Sequence, residues 1–140
     1  MKYAYFPGCS LKGLGRAYEE SLLPVLKHLG VELEELADWN CCGATAYMAI
    51  DEVQAFALAG RNLAIAERQA EDLMAPCSAC YLVLNKTQRY MQEYPEIRAR
   101  LEKGFKAAGL TCKGTKKVRH PLDILVNDIG LEVISRRVTK

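Results

Sequence analysis

Long apolar runs are missing from this sequence. None of its 140 residues lies in a stretch approaching the roughly 18 apolar positions that a membrane-crossing helix needs, and the amino terminus lacks a basic region followed by an apolar core. These absences predict a cytoplasmic chain with no direct membrane insertion. An excess of one charge is also missing, since 19 Lys and Arg stand against 17 Asp and Glu for a net +2, well short of the basic surplus of a nucleic-acid-binding surface. That argues against DNA and RNA as partners. Histidine is scarce, and His28 and His120 have no ligand-like spacing, so both are read as incidental. There is no repeat and no low-complexity tract. Nor is there a Cys-x-x-Cys-x-x-Cys segment of the ferredoxin kind, so any cluster of that type would sit on another chain.

What is present is an ordinary globular mixture, 50% hydrophobic and 26% charged, with enough length for one domain over residues 1–140. Six cysteines are the anomaly. In a reducing compartment structural disulfides are uncommon, so this count points to metal or redox chemistry.

Three short β-prone runs, Lys2–Phe6, Val31–Leu36 and Asp72–Ala75, alternate with helical patterns, which predicts an α/β fold with a small parallel-type sheet flanked by helices. In the second run Glu32, Glu34 and Glu35 alternate with Val31, Leu33 and Leu36, the pattern of a strand with one solvated face. A helix is expected from Arg16 to Leu29 before Gly30, with Pro24 giving a kink or a late start. Asp51 is a candidate N-cap for a helix of about 17 residues whose Val53, Phe56, Ala57, Gly60 and Ala64 form a narrow stripe of small residues. Helices are also expected from Ser78 to about Gln92 and from Pro95 to Gly109, the latter as cover. Leu110–Lys113 and Lys116–His120 flank Gly114-Thr115 as a hairpin would, and a short helix over Leu122–Asp128 is stopped by Gly130. The basic tail from Leu131 to Lys140 reads as a terminal helix or a linker.

Five of the cysteines, Cys9, Cys41, Cys42, Cys77 and Cys80, follow the ends of the three strand-like runs in the pattern C-x31-C-C-x34-C-x2-C. An open α/β fold delivers ligands to the carboxyl edge of its sheet, so three strand ends bring five thiols toward one point, and Cys77 and Cys80 fall at a helix amino end that favours anionic sulfur. Adjacent side chains diverge from the backbone, so Cys41 and Cys42 suit two metals of a larger core better than one tetrahedral ion. Five thiols also exceed the four that zinc or an ordinary cubane takes. Buried small side chains, a zinc knuckle and a redox dithiol through Cys77-Ser78-Ala79-Cys80 are the competing readings. Cys112 lies outside the pattern on the expected hairpin. Lys12, Arg16 and Lys86 are the cations nearest the thiols in the chain and candidates to offset thiolate charge.

Cys41-Cys42-Gly43 and its flanking spacing resemble the cysteine-rich CCG domain. Tyr3-Ala4-Tyr5-Phe6-Pro7-Gly8-Cys9-Ser10, Asp38-Trp39-Asn40-Cys41-Cys42-Gly43-Ala44 and Ala75-Pro76-Cys77-Ser78-Ala79-Cys80 are similar to its form in the B subunit of heterodisulfide reductase, over nearly the whole chain. The resemblance implies a noncubane [4Fe-4S] cluster held by Cys9, Cys41, Cys42, Cys77 and Cys80, which are catalytic through it. It implies an oxidoreductase that hands electrons to a disulfide of the CoM-S-S-CoB type or a related one. The implied partners are a second CCG domain, a ferredoxin-like iron–sulfur subunit and a flavoprotein subunit. The B subunit usually holds two such domains, so the chain resembles the amino-terminal half, incomplete alone, with residues 131–140 as an interdomain linker. Similar domains in lactate, glycolate and glycerol-3-phosphate oxidation systems imply an alternative, an electron-transfer module without its own substrate. A zinc-stabilised structural domain is the third expectation, with zinc or no metal in aerobically prepared protein.

Overall fold

Alternation along β1 (Lys2–Tyr5) and into Phe6 decides the layering, because successive side chains of a strand leave on opposite faces. Ala4 and Phe6 enter one core with Phe56, Leu63, Leu84 and Phe105, whereas Tyr3 and Tyr5 enter a second with Leu22, Leu26 and Ile124. The structure, a computed structural model, describes residues 1–139. β1 is paired on both sides, with β2 (Glu32–Glu35) and with β3 (Leu73–Met74), and β4 (Val118–Arg119) lies beyond β3. All three pairings are parallel and the order is β2-β1-β3-β4. The chain is therefore an α/β protein with a small parallel sheet and helices on both faces, as its strand and helix patterns predict. β3 splits its two residues between the layers as β1 does, Leu73 to the first core and Met74 to the second.

Between β1 and β2 lie α1 (Gly8–Leu11) and α2 (Arg16–His28); between β2 and β3 lie α3 (Ala46–Ile50) and α4 (Glu52–Ala66). α5 (Ser78–Glu93) and α6 (Pro95–Ala107) follow β3, and α7 (Pro121–Asp123) widens into a π-helical stretch, Ile124–Ile129, before α8 (Leu131–Arg137). α2 runs from Arg16 to His28 through exposed Pro24, so the helix has no late start. Asp51 caps α4 by accepting from the Val53 and Gln54 N–H groups. The buried face of α4 is Ala55, Phe56, Ala59, Gly60, Leu63 and Ala64, and the expected Ala57 is exposed. Gly60 is required there, since a Cβ would stand 2.4 Å from Phe105 Cζ of α6. Fully burying a side chain such as Leu63 or Phe56 contributes about 1.5–3 kcal/mol, which is what holds α4 on the sheet.

The expected hairpin around Gly114-Thr115 does not form. Both oxygens of the Glu67 carboxylate accept the Lys113 N–H, and one of them also takes those of Gly114 and Thr115, so the donors a hairpin would need are satisfied by a side chain. The following residues become β4 and pair with β3, with Leu73 N–H donating to the Lys117 carbonyl and Ala75 N–H to that of Arg119. Cys112, expected on a surface hairpin, is buried against the first core. Residues 131–137 of the tail are helical, and Lys140 lies outside the described residues. Among the described residues no helix is long and apolar enough to cross a membrane.

Candidate functional site

β1 ends at Tyr5 and the chain turns through Pro7 and Gly8 into α1, which holds Cys9 inside a short helical turn instead of the open loop its Pro-Gly dipeptide suggests. Gly8 has φ +71°, and a Cβ on it would lie 2.8 Å from Cys80 Sγ, so only glycine lets this turn reach the α5 thiol. The turn is braced from the opposite layer. Buried Glu19 of α2 accepts from Tyr5 Oη at 2.7 Å and from Lys12 Nζ at 2.9 Å. Lys12 also donates to Glu35, which accepts from Trp39 Nε1 at 3.0 Å, and the Trp39 ring meets Phe6 edge-on at 5.6 Å. One chain of contacts thus ties the Cys9 turn to the loop that leads into Cys41.

That loop leaves β2 after Leu36. Asn40 N–H donates to Asn62 Oδ1 at 2.9 Å and its carbonyl accepts from Asn62 Nδ2 at 2.8 Å, while its own side chain bonds the Leu58 and Cys41 carbonyls and accepts from Arg61. Gly43, at φ +79°, donates its N–H toward Cys41 Sγ at 3.5 Å. On the third segment Cys77 is the N-cap of α5 and Cys80 sits in its first turn, where unpaired N–H groups and the helix dipole favour negative sulfur. His120 holds this segment in place. Leu122 N–H donates to Nδ1, so the ring proton is on Nε2 and points at the Pro76 carbonyl, 3.0 Å away.

The sulfurs come together in pairs. Cys9 and Cys41, both exposed, are 3.7 Å apart, and Cys42 and Cys80, both buried, are 3.2 Å apart. Cys77, at the N-cap of α5, lies three residues before Cys80. A hydrogen bond joins the Cys42 and Cys80 sulfurs, and this, helped by the Ala44 and Cys42 N–H groups, lowers the Cys42 thiol to about 7. The same bond pushes Cys80 up, with burial adding to it. Burial raises Cys9, and Cys41 beside it raises it further. Of the buried pair, Cys42 is therefore the thiol that ionises more readily.

Among the described residues, no three His, Cys, Asp or Glu side chains converge where one ion could take them all. The spacing of the exposed pair nevertheless fits metal. Two thiolates on one tetrahedral metal, at about 2.3 Å each, stand about 3.8 Å apart, close to the Cys9–Cys41 separation of 3.7 Å. The three candidate cations are committed to carboxylates: Lys12 to Glu19 and Glu35, Arg16 to Glu20, and Lys86 to Glu52. Cys112 stands apart from the group, and burial pushes its thiol up to about 11. Sequence reasoning missed Asn62 and His120 as builders of the site. The one available signal for Asn62 was a lone amide in the otherwise apolar Leu63-Ala64-Ile65-Ala66 end of α4.

Fold and site together define a three-layer α/β domain that gathers thiols from three βα connections at one sheet edge. Residues 3–85 match the model of the CCG cysteine-rich domain, and the chain belongs to that family. It is 33% identical over 139 residues to a protein of Archaeoglobus profundus named as like the B subunit of heterodisulfide reductase, covering 99% of this chain and 46% of that one. It is 29% identical to the B subunit of the ferredoxin/F(420)H(2)-dependent CoB-CoM heterodisulfide reductase of Methanosarcina acetivorans, covering 99% and 46%. A third relative, at 28% identity and covering 99% and 48%, is the 8-methylmenaquinol:fumarate reductase membrane anchor subunit of Wolinella succinogenes. The chain thus spans about half the length of the curated relatives it matches. The fold recurs in the crystal structure of a hypothetical protein from Helicobacter pylori, with a TM-score of 0.74 at 17% identity over 86% of this chain and 24% of that one. All three relatives are named as subunits of reductases or as like one.

Proposed function

We propose that this domain is an electron-transfer unit of a heterodisulfide reductase-like complex, in which Cys9, Cys41, Cys42, Cys77 and Cys80 hold an iron–sulfur core of the noncubane [4Fe-4S] type. The observation that carries the reading is the pairing of sulfurs from three separate loops, 3.7 Å and 3.2 Å apart, in a chain similar to two proteins named as the B subunit of that reductase or as like it. Two sulfur pairs drawn from three separate loops, with no single-ion convergence among the described residues, favour a core of several metals over one zinc. When bound, the core supplies one-electron steps to a disulfide and a metal to receive the released sulfur.

This chain's residues bind and tune. Cys42, lowered to about 7, and Cys80, its buried partner, would hold the core as thiolates, and Cys80 would have to give up its proton to do so. Cys77 is anchored at the α5 amino end, and the exposed pair Cys9 and Cys41 forms the solvent side, where a substrate or partner has access. On this reading the domain is the first of two of its kind, with residues 131–140 leading toward the second and with ferredoxin-like and flavoprotein subunits as electron sources. The 28% identity to a fumarate reductase subunit favours a second reading, in which the domain only relays electrons in a quinol-linked system.

Anaerobic reconstitution with iron and sulfide tests the core. About four irons and four sulfides per chain is the expected result, and one zinc with no bound sulfide overturns it. Disulfide turnover with a reduced dye, after addition of a second CCG domain, is expected on the first reading; reduction of quinone analogues without disulfide turnover selects the second.

A further inference from the structure

The loop bearing Cys41 and Cys42 has no regular structure of its own, so something must fix where its sulfurs stand. Among the described residues the buried polar side chains are Glu19, Asn62 and Thr87. Thr87 bonds the Val83 carbonyl of its own helix, and Glu19 braces the Cys9 turn. Asn62, fully buried in α4, reaches 22 residues back to take both the N–H and the carbonyl of Asn40. A planar amide bonded at both ends to one residue's backbone behaves as a neighbouring strand would, fixing position and rotation together. A buried amide is costly unless every group is paired, and here its oxygen and nitrogen both are, with the nitrogen shared between Asn40 and Leu58.

We infer that Asn62 is a positioning residue for the site: its two-point bond to Asn40 sets where Cys41 stands against Cys9 and where Cys42 stands against Cys80. The inference rests on the reading of the five thiols as one ligand set, but its test uses no iron. Loss of the amide removes both backbone anchors of Asn40 and leaves only its side-chain bonds to Leu58, Cys41 and Arg61, and any rotation there is passed to Cys41 one residue later.

The test uses reduced, metal-free protein and dibromobimane, which becomes fluorescent on bridging two nearby thiols, with the Cys9–Cys41 bridge identified by peptide mapping. In Asn62→Leu the initial rate of this bridge falls by up to about a hundredfold, the scale on which a misplacement of about 1 Å slows reactions between held groups. Phe105→Leu opens a cavity on the far side of α4 and, at the same loss of thermal midpoint, keeps the wild-type rate. Equal bridging in Asn62→Leu and wild type overturns the inference, as does an equal loss in both variants. If Asn62→Leu fails to fold, amide hydrogen exchange of the wild-type protein decides. Protection of the Asn40 N–H comparable to that of the Leu63 N–H supports the clamp, and exchange at the rate of an open loop overturns it. Failure of iron uptake with a normal bridging result would fault the cluster reading and leave the clamp standing.

Discussion

Gly8 answers two demands at once, a left-handed backbone at φ +71° and an empty Cβ position 2.8 Å from Cys80 Sγ. Gly109 answers only the first, with φ +67° and nothing within 4 Å of its Cβ position. Replacing either with alanine places an L side chain in a left-handed conformation at a cost of about 1–2 kcal/mol, so both variants lower the urea midpoint. Gly8→Ala lowers it further and alone reduces iron uptake on reconstitution; equal uptake by the two variants would separate Gly8 from the site. Cys112 behaves in the opposite way to the five gathered thiols. With its thiol pushed up to about 11 by burial, it stays unalkylated by iodoacetamide at pH 8 in folded protein while exposed Cys9 and Cys41 react, and Cys112→Ala leaves iron uptake unchanged. Rapid native labelling of Cys112 in a peptide map would refute this. At this scale the cysteines were legible because an excess of thiols is visible in composition and spacing. Asn62 and His120 were not, since each bonds backbone atoms, 22 and 44 residues away, that have no side-chain signature.

Helix packing on the first face depends on the close approach of α4 and α6. A Cβ at Gly60 would meet the Phe105 ring at 2.4 Å, so Gly60→Ala forces the helices apart at a cost of about 1–3 kcal/mol. Adding Phe105→Leu recovers part of that loss, and strictly additive thermal unfolding data would show that the two residues do not touch. On the second face, Arg119 of β4 pairs with Asp123 and Asp128 around the π-helical stretch. Asp123 is held below the usual carboxylate range chiefly by Arg119, and Asp128 by the Tyr3 hydroxyl and then Arg119. A depressed folded value means that this stability is present above the unfolded value, about 3.9, and is lost as pH falls through the folded one. The urea midpoint therefore declines below about pH 4, and Asp128→Asn, which cannot titrate, declines less steeply; identical slopes would remove Asp128 from the account. The helices were readable from Asp51, Pro95 and Gly109, which stand at the ends their chemistry dictates. β4 was misread because a two-residue strand carries too little alternation to declare its partner, and the carboxylate that prevents the hairpin lies just past the end of α4.

For the whole molecule, the parallel sheet was legible because strand-like runs alternate with helices long enough to cross back over it. The meeting of the thiols followed from that topology, whereas their division into an exposed and a buried pair depends on side-chain packing that spacing does not encode. Topology also sets the order in which parts of the protein become available. Every thiol of the gathered group has been made once Cys80 is complete, but the strand that covers the β3 edge is Val118–Arg119. At about 5–20 residues per second a ribosome needs about 2–8 seconds to bridge that gap. For that interval the nascent chain carries all five of these cysteines on a sheet whose β3 edge is still uncovered, so the order of the segments leaves the thiols open to oxidation before the fold can close.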